Sequence, residues 1–86
     1  MQYAYHDLSY CSANDNVEIS LSAAANVRLL DSNNFSKYKR GQRHQFYGGL
    51  AQRSPIIMSV PNSGHWYVVV DMQGLRGSTR SSVRKI

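Results

Sequence analysis

Residues 52–74, QRSPIIMSVPNSGHWYVVVDMQG, constrain the fold more than any other stretch of the chain. Residues 56–60 and 65–72 are rich in β-branched and aromatic side chains, and Pro61-Asn62-Ser63-Gly64 between them brings together residues suited to a sharp turn. Two strands joined as a hairpin are predicted. Along residues 65–72, Trp66, Val68 and Val70 share one face while Tyr67, Val69 and Asp71 share the other. Both faces are apolar until Asp71, which places this strand inside a sheet rather than at its edge.

The same two-residue period recurs upstream. Tyr3 and Tyr5 suggest a short opening strand, residues 12–16 form a polar turn, and Val17, Ile19 and Leu21 alternate with Glu18, Ser20 and Ser22. Val27 and Leu29 mark a further strand, a candidate partner of the previous one, although Leu30 blurs the alternation. Asp31, Ser32, Asn33 and Asn34 offer helix-capping side chains ahead of Phe35 and Tyr38 at i and i+3, and Gly41 can end a helical turn. Residues 42–47 read as a strand that stops in a bulge or bend at Gly48-Gly49. Gly74 and Gly77 bracket another turn, and residues 79–86 form a polar last strand whose cations protect an edge. With 86 residues, the whole chain is one domain: a small antiparallel all-β sandwich or open barrel of six to eight short strands with one helical turn.

A domain this short buries only about 60–65% of the surface its unfolded chain exposes, and the single cysteine, Cys11, gives it no internal disulfide. That usage suits a reducing, cytoplasmic setting. No apolar run approaches the roughly 20 residues of a membrane span, and the polar start lacks the pattern of a signal peptide. The formal charge is +5. Lys37, Lys39, Arg40, Arg43 and Arg53 lie between Asp31 and Asp71 with no acid among them, and Arg76, Arg80, Arg84 and Lys85 follow Asp71 in the same way. Such clusters suit nucleic acid, an anionic ligand or an acidic protein surface, and they equally suit plain solubility.

Catalytic chemistry has little to build on. His6, His44, His65 and Cys11 show no metal-binding spacing, so neither a metal nor another cofactor is expected. Cys11 has no neighbouring cation, and the five acids are widely scattered. Asp71, at the end of an apolar strand, is expected to cap a turn or hold an arginine. Trp66 is expected in the core with its indole N–H on a backbone carbonyl. In residues 33–53, cations interleave with Phe35, Tyr38, Phe46 and Tyr47, as in single-strand nucleic-acid binders. The competing reading makes Phe35, Tyr38 and Phe46 anchors of a loop laid over the sheet, with the cations on its wet side. Tyr3, Tyr5 and Tyr10 offer an aromatic strip to a partner.

The runs NVRLLDSNNFSKYKRGQRHQFYGG from Asn26, VPNSGHWYVVVDMQG from Val60 and the closing GSTRSSVRKI resemble an uncharacterised bacterial family, the domain-of-unknown-function family numbered 1883. The resemblance implies a compact β-rich domain, found alone or fused to TIR domains of the kind that act in bacterial immunity. It implies no catalytic residues.

The expected function is therefore that of a non-enzymatic recognition module, sensing or inhibiting a component of bacterial defence or mobile-element conflict. Its candidate binding residues are Asn34, Phe35, Tyr38, Arg40, His44, Gly48, Gly49, Trp66 and Asp71. The alternative is a basic nucleic-acid-binding domain using Lys37, Lys39, Arg40, Arg43, Arg53, Arg76, Arg80 and Arg84. A small enzyme built on His44, Asp71 and an arginine is the third class. The expected partner is another protein or an anionic ligand, and monomer and homodimer fit equally.

Overall fold

A computed structural model describes residues 3–86. The period-two segments form seven strands, with one helix between the third and fourth: β1 (Tyr3–Cys11), β2 (Asn16–Leu21), β3 (Ala25–Asp31), α1 (Ser32–Lys39), β4 (Tyr47–Ala51), β5 (Ile56–Ser59), β6 (Gly64–Asp71) and β7 (Ser81–Lys85). They make two antiparallel sheets, ordered β1-β6-β3-β4 and β5-β2-β7. Neither sheet closes among the described residues, so the fold is an open sandwich rather than a barrel. The opening strand is longer than expected, and its register slips between Asp7 and Tyr10, where Ser9 takes a positive φ of 59°. Among the described residues no helix is long and apolar enough to cross a membrane.

The predicted hairpin does not form. Both of its strands exist, but β5 pairs with β2 in the small sheet, whereas β6 pairs with β1 and β3 in the large one. Residues 60–63 are a corner between layers. Val60 explains why: its N–H donates to the Asp15 carbonyl and its carbonyl accepts from Asn14 N–H, which ties the end of β5 to the turn between β1 and β2. The chain then crosses to the other layer, and Trp66 Nε1 donates to the Asn62 carbonyl across 2.8 Å. Proline, asparagine and glycine specify a change of direction without specifying whether the strands they join will pair.

The link between β2 and β3 behaves alike, so the pairing expected between them is also absent. Residues 42–46 are not a strand either; β4 begins at Tyr47 and runs through Gly48-Gly49. Helix and loop capture the backbone that a ladder would need. Gln42 N–H donates to the Lys37 carbonyl, and Gln45 N–H donates to Asn34 Oδ1, both across 2.9 Å. Gly48 lies so close to β3 that a Cβ there would stand 2.3 Å from the Val27 carbonyl oxygen.

Each face of the large sheet has its own core. Toward the small sheet, Val27, Leu29, Trp66, Val68 and Val70 bury against Val17 and Ile19 of β2. On the opposite face, Leu30 and Val69 are covered by Phe35 and Tyr38 of α1. That second layer accounts for Leu30, which broke the alternation of β3 because it faces the helix. The expected interior place of residues 65–72 is realised in β6, flanked by β1 and β3. His6 Nε2 and Ser81 Oγ, 2.9 Å apart, join β1 to β7, and Lys85 Nζ donates to the Tyr10 carbonyl.

An eight-residue helix is too short to persist alone. Asp31 caps it by accepting the Asn34 N–H across 2.8 Å, and Gly41 ends it at φ +71°. Burial of Phe35 and Tyr38 supplies about 2–3 kcal/mol each, enough to hold it on the sheet.

Candidate functional site

The side chains that sequence reading singled out converge chiefly under and around α1, on the outer face of the large sheet. At the end of β6, Asp71 lies opposite Asn26 of β3, with Arg28 two residues further along the same strand. Alternation turns Asn26 and Arg28 away from the inter-sheet core that takes Val27 and Leu29. Asp71 is 1% exposed and accepts four hydrogen bonds. Its Oδ1 takes Asn26 Nδ2 at 2.8 Å and the Gln73 N–H at 3.1 Å. Its Oδ2 takes Tyr38 Oη at 2.8 Å and Arg28 Nε at 3.1 Å. Burial alone pushes the carboxyl pKa up, but the bonds from Asn26, Tyr38, Gln73 and Arg28 together outweigh it and hold it below its ordinary value. Burial and the adjacent carboxylate push the Tyr38 phenol well up.

Asp71 thus both caps the turn at Gln73 and holds an arginine, as the sequence suggested. With two donors on each oxygen it is a structural knot joining β3, β6 and α1. His44, proposed beside it for catalysis, exchanges no hydrogen bond with it; the Tyr38 ring lies edge-on against the imidazole, 5.2 Å away. The two residues line different clefts.

Around the knot runs a band of rings. Phe35 stacks on Tyr67 at 4.1 Å and meets Tyr5 at 5.2 Å, while Tyr3 lies edge-on to Tyr38 at 5.1 Å. His65 stacks on Tyr67 at 4.8 Å and donates to Asp7 through Nε2. Phe46 lies beneath the Arg28 guanidinium at 4.6 Å, and Lys39 Nζ sits 4.7 Å from the Phe35 centroid. Phe35 and Tyr38 are therefore anchors, as one of the two readings held. Phe46 stays 38% exposed and Tyr47 52%. The tyrosine strip is divided in its fate: Tyr3 is half-buried, whereas Tyr5 and Tyr10 are exposed.

The cations gather less completely. Lys37, Lys39, Arg40 and Arg43 border α1 and its following loop, and among the described residues none has a carboxylate within ion-pair distance. Arg53 and Arg80 belong to loops secured at residues 21–22, where Leu21 N–H donates to Ser54 Oγ and Arg80 N–H donates to Ser22 Oγ. Arg76 is exposed in the long link to β7, and Arg84 is paired with Glu18 at 2.8 Å. The first basic cluster of the sequence is thus divided: Lys37 to Arg43 lie with the helix, whereas Arg53 joins Arg80 beside the end of β2. Trp66 faces the inter-sheet core, 4% exposed, away from the helix, and Gly48 and Gly49 lie within β4.

The family model for a domain of unknown function, DUF1883, matches residues 1–86, the full length of the chain. The chain belongs to that family. No curated protein and no solved structure matches it. In this DUF1883 chain, sequence reading passed over Asn26 and Arg28. Their signal was present: two polar residues alternating with Val27 and Leu29 need a polar environment on the far face of a central strand, and Asp71 was the acid left to provide it.

Proposed function

We propose that this DUF1883 domain is a non-enzymatic recognition module that binds an acidic protein surface through α1 and residues 40–46. The observation that carries the reading is the group Lys37, Lys39, Arg40 and Arg43, four cations along one element and its loop without a carboxylate partner among the described residues. Exposed Phe46 and Tyr47 add aromatic area of the kind that anchors interfaces. The layer beneath is rigidly tied by the Asp71 knot, so partner binding meets a preorganised surface. The family resemblance supports a defence protein as that partner, sensed or inhibited.

The test is a binding measurement with each partner recovered by affinity capture, comparing wild type with Arg40→Glu/Phe46→Ala. Affinity is expected to fall at least tenfold in the double variant, with unchanged thermal midpoint, and to weaken steeply with salt. Equal binding by the variant to every recovered partner would refute the placement.

A nucleic-acid reading draws on exposed Arg53, Arg76 and Arg80, which also have no carboxylate partner among the described residues. Titration with single-stranded and duplex oligonucleotides at about 50 mM salt decides it, and absence of binding there removes it.

A further inference from the structure

The basic layer contains a concave site. Asn33, Asn34 and Lys37 of α1 face Arg43, His44 and Gln45 across a cleft of about 330 Å³. Two bonds hold its walls together: Gln45 N–H to Asn34 Oδ1, and Gln42 N–H to the Lys37 carbonyl. No acid lines it. Asp31, at the start of the helix, is engaged by Asn34 through both N–H and Nδ2. Lys37 and Arg43 therefore bring two positive charges to the cleft with no carboxylate neutralising either among the described residues.

His44 is fixed in the wall of the cleft. Its Nδ1 donates to the Gln42 carbonyl across 2.9 Å, which fixes the ring. Its Nε2 is buried and has no hydrogen-bond partner. Buried polar atoms are nearly always satisfied. With Nδ1 carrying the proton, Nε2 is a lone-pair acceptor closed off from solvent, so His44 shapes the wall while Lys37 and Arg43 supply the charge for a ligand.

We propose that this cleft binds a phosphoryl group borne as a monoester, which rests on reading the α1 layer as the recognition surface. An arginine fork engages two oxygens and a lysine places a point charge on a third, so the pair suits a three-oxygen headgroup better than a two-oxygen carboxylate. The Asn33 and Gln45 amides supply neutral donors at the rim. The cleft exceeds the size of a bare phosphate and leaves room for the group that carries it. That group is either a small molecule or a phosphorylated side chain of the partner.

The experiment is an NMR titration of the full chain with inorganic phosphate, phenyl phosphate and a phosphoserine peptide, each against chloride at equal ionic strength. Saturable shifts confined to residues 33–45 are expected, with Lys37→Gln and Arg43→Gln each weakening binding at least fivefold. Lys85→Gln, the same charge change in the small sheet, leaves binding unchanged. Tighter binding of phenyl phosphate than of the peptide assigns a small molecule, and the reverse assigns a partner side chain. Shifts that fail to saturate, that chloride reproduces, or that survive both cleft substitutions overturn the proposal. The titration needs no partner, so its failure leaves the capture experiment standing, and failed capture leaves the titration readable.

Discussion

Tyr38 Oη donates to Asp71 Oδ2 across 2.8 Å, fastening the only helix among the described residues to the end of the central strand β6. The bond joins a phenol to a buried carboxylate, and such bonds contribute more than neutral ones. Tyr38→Phe keeps the ring against Tyr3 and His44 and removes only the hydroxyl. Loss of about 1.5–3 kcal/mol in urea denaturation is expected. A change below about 0.5 kcal/mol would show that the bond does not hold the helix.

Asp71 has its pKa lowered on folding, so its contribution to stability is complete above the unfolded carboxylate value and is lost as pH falls through the lower folded value. Stability should therefore drop below about pH 4. Exposed Asp7 is lowered too, by the Ser9 N–H and by His65, and shares the same sign. Urea midpoints of Asp7→Asn and Asp71→Asn between pH 2.5 and 5 separate them. Asp71→Asn should be destabilised by about 3–5 kcal/mol at neutral pH through the unpaired Arg28, and its midpoint should vary less with acid than that of the wild type.

His6 acts with the same sign at higher pH. Burial lowers its pKa, so the folded state prefers the neutral ring; stability is full above about pH 6.5 and falls as the unfolded chain takes up the proton below it. His6→Gln preserves a polar partner for Ser81 and removes the titration. A thermal midpoint whose dependence between pH 5 and 7 is the same in wild type and variant would contradict this role.

Gly48 and Gly49 should differ sharply on substitution. Gly48, at φ +119°, leaves no space beside the Val27 carbonyl, whereas an added Cβ at Gly49 meets nothing within 4 Å. Gly48→Ala is expected to lose about 3 kcal/mol or more, and Gly49→Ala about 1–2 kcal/mol from its positive φ of +152°. Equal losses in denaturant melts would mean that β4 does not approach β3 this closely.

Trp66 is the single tryptophan and is 4% exposed. Its fluorescence should be blue-shifted and poorly quenched by acrylamide in the native state, with both features lost on unfolding. Native emission resembling that of free tryptophan would move this side chain out of the core.

Much of the fold was legible because strand and cap signals are local. Val17 and Ile19, Val27 and Leu29, and Trp66, Val68 and Val70 declared their buried faces through backbone geometry alone. Asp31 declared the helix start, since a carboxylate three residues before Asn34 reaches its N–H regardless of what lies elsewhere. The hairpin misled for a complementary reason: Pro61 to Gly64 turn the chain, but Asp15 and Asn14, far upstream, hold Val60 and decide where β5 goes.

By itself, then, the sequence determined most of the strand segments, though not β4 or the length of β1, as well as which faces are apolar and where the helix begins, because each depends on residues a few positions apart. Tertiary structure alone decided that β5 and β6 enter different sheets and that Asn26, Arg28 and Tyr38 meet on Asp71. Those outcomes depend on pairings between distant segments, chosen by the summed burial and hydrogen bonding of the entire domain.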